Sequence, residues 1–392
     1  MRFGYFYNIH DPSKNRDYSE LVEEMRQAVQ LCEDAGFDVF WLPEHHFSVW
    51  HRELTPNPIV LATDVAARTK RIRIGLSAAI VTFWHPLRAA EDIAVLDHLT
   101  GWRLEVGLGR GNYGLEALNL NPSADPNNQM ANIEVFDETV QVIKLALSQD
   151  RFQFKGKHYT FPQPGFRADR AHTVSDPDYV DPKTNELVKL SVLPRPKQRP
   201  TPPLWQVVNS IESIQHAARL DMGIIMWRPP IASLKVRLKA YRDAVREAHK
   251  RDLPLGTRAA ILRDVHVGKT DADAERVGVP PIMEGLNFSN WRGPSIYLNP
   301  GEVLPAEQEA ALKKELSYEF VRDRGSVFIG SPERVTDQML ELEAETGVEQ
   351  IVIRGGWPGL AFDDEMSSVR LLGEKVIPHF RKQRARKPAA AE

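Results

Sequence analysis

Eight short apolar runs, each followed by a stretch of helical periodicity, constrain this chain more than any other feature. They stand at residues 2–7 (RFGYFY), 38–43 (DVFWLP), 71–79 (RIRIGLSAA), 103–109 (RLEVGLG), 203–208 (PLWQVV), 223–227 (GIIMW), 259–267 (AAILRDVHV) and 350–355 (QIVIRG). Between them, patterns such as SELVEEMRQAVQLCEDAG at 19–36 keep apolar residues on one helical face, and Gly36 supplies a stop. Further helices are expected near 56–69, 86–99, 128–149, 231–252, 332–346 and 364–382. Right-handed parallel crossovers leave few ways to arrange eight β-then-α units, so the count predicts an α/β fold: a closed (β/α)8 TIM barrel, not an open doubly wound sheet.

Two connections are too long for plain units. After the fourth unit, about 150–202 reads as a hairpin (FQFKGKHYTF) followed by a surface insertion rich in Pro and Asp. Between the seventh and eighth strands, 268–331 holds GVPPIMEGLNFSNWRGPSIYLNPGE, which shows no period and predicts a mobile loop or lid at about 277–318. The expected organisation is a single domain over 1–382 and a disordered basic tail, 383–392. With 50 basic and 53 acidic residues the net charge is -3, so nothing recruits nucleic acid or acidic lipid over a distance. No apolar segment approaches the roughly 18 residues of a membrane span. The single cysteine, Cys32, falls on the apolar face of the first helix, and the opening MRFGYFYNIHD lacks a secretory pattern. A cytoplasmic setting and a small-molecule partner are therefore expected.

In such a barrel, chemistry gathers at the C-terminal ends of strands. WLPEHHF (41–47) ends the second. His45 and His46 would point to opposite sides of an extended chain, and zinc spacings such as H-x-x-E-H are absent, so no metal is expected. A proton-handling or ligand-contacting histidine and a structural pair both stay open. RLEVGLGRGNYG ends the fourth strand; its Gly109, Gly111 and Gly114 fit the dinucleotide spacing, but LEALNLNPSADPNN breaks too soon for the helix that fingerprint needs. Arg110 suits approach to an anionic ligand, or is an arginine on a surface turn. Ser77, Ala78 and Ala79 put small residues at the mouth, against which a flat ligand could lie. Ser210 and Ser213 open a helix after the fifth strand, as a phosphate site or as a simple N-cap. Trp50, Phe83, Trp84, Tyr113 and Trp227 are candidates for an aromatic mouth or for core.

Together, EHHF, GLSAAIVTFWHPLR, LDHLTGWRLEVGLGRG, VVNSIES, GSPERV and TGVEQIVIR, in this order and through most of 1–380, resemble the bacterial luciferase-like family of flavin-dependent monooxygenases. The resemblance implies His45 beside flavin and substrate with Glu44 helping to orient it, His46 as support, and Arg110 on the flavin phosphate and rim. It further implies Ser210 and Ser213 on the phosphate turn and a non-prolyl cis peptide at Ser77–Ala78. It implies reduced FMN (FMNH2) as cofactor, O2 activation as a C4a-peroxyflavin, one oxygen atom transferred to a small organic substrate, a separate NAD(P)H:flavin reductase and a homodimer. A branch of the same fold uses deazaflavin F420, and some relatives only bind flavin; both are alternatives. Gly109 stands where some relatives carry a reactive cysteine, and Thr82, Phe83 and Trp84 give a bulkier mouth. The insertion after 150 is also longer, which leaves light emission and a long-chain aldehyde substrate open.

Overall fold

Parallel strands can close into a barrel only if their inward side chains fill the space they enclose, and here two tryptophans are the largest of the buried side chains that do so. A computed structural model describes residues 1–167, 176–290 and 293–386. Within these, eleven strands follow one another: β1 (Arg2–Phe6), β2 (Val39–Leu42), β3 (Arg73–Ala79), β4 (Leu104–Leu108), β5 (Phe154–Lys155), β6 (Thr160–Phe161), β7 (Leu204–Val207), β8 (Gly223–Trp227), β9 (Ala259–Val267), β10 (Val327–Gly330) and β11 (Gln350–Arg354). Parallel pairings run β1-β2-β3-β4-β7-β8-β9-β11, and β11 pairs with β1, which closes the eight-stranded barrel. All eight strands read from the apolar runs are present.

Trp41 and Trp205 meet edge to face inside the barrel, with ring centroids 6.2 Å apart. A Cβ at Gly75 would stand 2.1 Å from the Trp41 ring, and one at Gly223 would stand 2.6 Å from the Trp205 ring. Small residues on neighbouring strands thus make the room that the large ones occupy. Phe6, Val39, Ile225, Ala260, Leu262 and Val352 complete this inner cluster. The helices α1 (Tyr18–Ala35), α2 (Pro58–Arg68), α3 (Pro86–Leu99), α4 (Gly114–Leu120), α5 (Gln129–Ser148), α6 (Ile211–Arg219), α7 (Ile231–His249) and α8 (Asp271–Phe288) lie between or beyond the strands in chain order. They are followed by α9 (Ala306–Lys314), α10 (Tyr318–Arg322), α11 (Pro332–Thr346), α12 (Phe362–Leu371) and α13 (Ile377–Arg386). Their buried faces and the outer faces of the strands form the main core, Cys32 included.

The insertion carries the expected hairpin: β5 pairs antiparallel with β6. Elsewhere the structure departs from the sequence reading. The run at 277–318 is not without regular structure, because α8 continues to Phe288 with Pro280 and Pro281 inside it, and α9 follows. Thr270 caps α8, with Asp271 and Asp273 in its first turn. Its Ala274, Ile282 and Leu286 then pack with Tyr297, Phe320 and Trp357 in a second core, and that packing outweighs the cost of the prolines. The missed strand, β10, pairs only with the last residues of β9, Asp264 to Val267. The predicted tail begins within α13, which runs to Arg386; the remainder of 383–392 lies outside the described residues.

Candidate active site

The C-terminal end of β2 delivers three ionisable side chains in a row, and the fold sends them to different partners. Glu44 is buried. Its Oε2 accepts from the Ile80 N–H (2.8 Å), while its Oε1 accepts from Trp84 Nε1 (2.9 Å) and meets His46 Nε2 at 2.9 Å. The reading in which Glu44 orients His45 is therefore corrected: its direct partner is His46. The cause is the extended backbone, which points successive side chains to opposite sides. His45 instead lies between Glu53 (Nε2 to Oε1, 3.5 Å) and Glu116 (Nδ1 to Oε1, 3.4 Å), with the Tyr113 ring 5.5 Å away. Burial disfavours a charged His45 ring, but Glu53, Glu116 and Glu44 outweigh it and hold the pKa above the ordinary histidine value. Burial first, then Glu53 and Glu116, push the Tyr113 phenol well above its usual range.

β3 and β4 build the next part of the rim. The Ser77–Ala78 peptide is cis, as expected, at a break in the β3–β4 register between Leu76 and Ala79. Gly109 lies against Ala78 and Ile80, where a Cβ would come within 3.0 Å of both side chains. Gly111 adopts φ +80°, in the left-handed region, which brings the chain close to Phe83. Between these glycines, Arg110 is half-buried. Its Nη1 donates to Asn132 Oδ1 (3.2 Å), and its carbonyl accepts from Thr82 Oγ1 and Asn132 Nδ2. Among the described residues no carboxylate lies within ion-pair distance of Arg110, and burial lowers its pKa, a deficit only partly offset by Asp137. Beyond β7, Ser210 caps α6: its Oγ accepts from the Ser213 N–H (3.2 Å) and lies 3.0 Å from Ser213 Oγ. The N-cap reading of Ser210 thus holds, and the capped helix still presents its N-terminus at the mouth.

The opposite arc holds residues that sequence reasoning missed. Arg354 ends β11, and Arg228 follows β8 at φ +55° and pairs with the buried Asp264 of β9 (Nε to Oδ2, 2.5 Å). Strand parity was the available signal: Val352 faces inward, so Arg354 two residues on does too. No comparable signal marked Glu53 or Glu116. Of the aromatic candidates, Trp50 is 62% exposed, Tyr113 borders His45, Trp84 is tied to Glu44, and Trp227 packs edge-on against Phe6 (5.7 Å). Among the described residues no three His, Cys, Asp or Glu are arranged to hold a metal ion, and no helix is long and apolar enough to cross a membrane.

The sequence profile of the family described as luciferase-like monooxygenase matches residues 1–350. The chain belongs to the luciferase-like monooxygenases. As such it is a flavin-dependent oxidoreductase of the monooxygenase class. This luciferase-like monooxygenase is 23% identical over 385 residues to the flavin-dependent trigonelline monooxygenase, oxygenase component, of Acinetobacter baylyi, with 97% of this chain and 96% of that one covered. Its fold is similar to the oxygenating constituent of the 3,6-diketocamphane monooxygenase of Pseudomonas putida, a type II Baeyer-Villiger monooxygenase in complex with FMN. There the TM-score is 0.75 at 20% identity, covering 96% of this chain and 98% of the other. It is also similar, at TM-score 0.68 and 17% identity, to the coenzyme F420 dependent tetrahydromethanopterin reductase of Methanopyrus kandleri, covering 97% and 99% of the two chains.

Proposed function

We propose that this luciferase-like monooxygenase uses FMN in its reduced form, supplied by a separate NAD(P)H:flavin reductase, to place one atom of O2 in a small organic substrate. The observation that carries the reading is Arg110: a half-buried guanidinium at the mouth with an amide for a partner and, among the described residues, no carboxylate. A group in that state suits an anion, and the N-terminus of α6 offers a second anion-seeking feature on a neighbouring part of the rim. The residues fit a flavin phosphate at this end and a flat ring against Ser77, Ala78 and Gly109. The relative from Acinetobacter baylyi, named as an oxygenase component, supports the separate reductase, and the FMN-bound neighbour supports the choice of flavin.

Bound reduced flavin supplies the electrons that activate O2. Arg110 and α6 hold its phosphate end. His45, poised by Glu53 and Glu116, holds or moves a proton beside substrate at its imidazole nitrogens. Glu44 fixes His46 and Trp84 and so keeps that wall in place. The aromatic rim of Phe83, Trp84 and Tyr113 limits water at the reacting atoms. The F420 reading draws on the reductase neighbour, and anaerobic titration separates the two. Reduced FMN is expected to bind more tightly than oxidised FMN, and Arg110→Ala to lose roughly 10- to 150-fold, the range of a charged hydrogen bond. Binding of reduced F420 with none of reduced FMN would overturn the flavin assignment. A parent protein that binds reduced FMN yet oxygenates none of a panel of aldehydes, ketones and aromatic compounds would indicate a carrier.

A further inference from the structure

We propose that the mouth binds the carboxylate of a flat monoanionic organic acid on Arg354, so that the substrate of the oxygenation is an acid; this deepens, and for its chemistry rests on, the oxygenase reading above. Arg354 is register partner to Phe6 on one side and to Asp264 on the other, which sets it in the uppermost layer of the barrel interior. Two further arginines stand nearby in the fold, one after β8 and one on β9. Arg228 is committed to Asp264. Arg263, whose neighbours on β9 face inward, gives Nη2 to the Pro229 carbonyl (2.6 Å) and Nη1 to that of Leu262 (3.3 Å). Among the described residues Arg354 alone of the three has no acceptor: no carboxylate lies within 4.0 Å of it, and its Nε, shielded from solvent, has no hydrogen-bond partner.

At the other end of the barrel a cavity of about 910 Å³ is lined in part by Arg2, Arg73 and Arg258, and these three pair with Glu105 or Asp221. An uncompensated buried charge is costly, and burial followed by the nearby Arg228 pushes the Arg354 pKa down to about 10. Glu53 and Asp264 also bear on it. Asp264 is taken by Arg228, and Glu53 stands 3.5 Å from His45.

Geometry selects the ligand. The Trp357 ring lies 4.0 Å from the Arg354 guanidinium carbon and the Trp227 ring 5.9 Å, so the planar fork is stacked and its edge is left to donate. A planar, two-donor edge matches a carboxylate. One uncompensated positive charge matches a monoanion better than a phosphate dianion. The walls, Trp227 packed against Phe6, are apolar and flat. In the ring of eight strands β11 stands diametrically across from β4, so Arg354 is remote from the Arg110 end assigned to the flavin phosphate. The Tyr113 ring borders His45, with centroids 5.5 Å apart.

The test titrates benzoate, benzamide and inorganic phosphate into the full chain, with and without oxidised FMN, following tryptophan fluorescence and the flavin absorbance difference. Benzoate is expected to saturate both signals, with benzamide and phosphate at least about tenfold weaker. Arg354→Met should lose roughly 10- to 150-fold in benzoate affinity at unchanged FMN affinity, and Arg354→Lys should fall between. Equal binding of benzoate and benzamide overturns the proposal, as does preference for phosphate, an Arg354→Met variant that keeps benzoate, or one that loses FMN instead. The parent's discrimination decides the matter even where a variant does not fold. Failure of FMN to bind the parent would sink the flavin reading alone, because the titration without flavin still reports on Arg354.

Discussion

His45 and His46 are neighbours with different partners, and the difference can be measured. His45→Ala is expected to bind reduced FMN within a few-fold of the parent while product formation falls about 10²- to 10⁴-fold, the span of a positioned proton carrier. Because Glu53 and Glu116 raise the His45 pKa against the opposing effect of burial, the protonated ring stabilises the fold. That stabilisation is complete below the unfolded value of about 6.5 and is lost as pH rises through the higher folded value. Glu116→Gln should move the His45 titration downward when followed by ring NMR signals; an unmoved titration would leave Glu53 and Glu44 as the sources. Glu44→Ala orphans three donors, on His46, Trp84 and Ile80, and is expected to cost about 3 kcal/mol by thermal unfolding, at ~1 kcal/mol per donor. The motif EHHF was legible as a site because it ends a strand. Its internal pairing was not, since the side a residue faces depends on the local backbone, and Glu116 reaches His46 across 70 residues of chain.

Elements were legible where their pattern was long or repeated, as the helices at α1, α3, α5 and α11 were. The exceptions cluster between β9 and β11. There α8 contains two prolines, and β10 is only four residues long, so neither carries a local signal strong enough to compete with the Gly, Pro and Asn around it. One clue was available: β9 has nine residues against four to seven in the other barrel strands, and its overhang is what β10 covers. Limited proteolysis is expected to cut first between Leu298 and Pro305, where Val303 is 88% exposed, and not within α8. Early cleavage inside 271–288 would mean that the second core does not hold the helix. Gly285→Ala puts a Cβ 2.3 Å from the Trp357 ring and should cost about 1–3 kcal/mol in unfolding free energy. Because Trp357 also stacks on Arg354, the same variant should weaken benzoate.

At the scale of the whole molecule, eight units announced a barrel, but the identity of its filling did not follow from the runs: Trp41 and Trp205 sit in apolar segments that read the same whether a side chain points in or out. Trp41→Ala is expected to cost about 3–5 kcal/mol, because the strands around it cannot collapse into the space without breaking their ladders. Closure itself has a price in time. Arg2 pairs with Gln350, so the first strand made waits for nearly the last. At 5–20 residues per second of synthesis the wait is roughly 20–70 s. Throughout that interval RFGYF is an open, apolar edge able to pair with another nascent chain. Yield in a host depleted of ribosome-associated holdases is therefore expected to fall with the soluble fraction, and a circular permutant opened in the 150–202 insertion would pass the exposed edge to a different pair of strands.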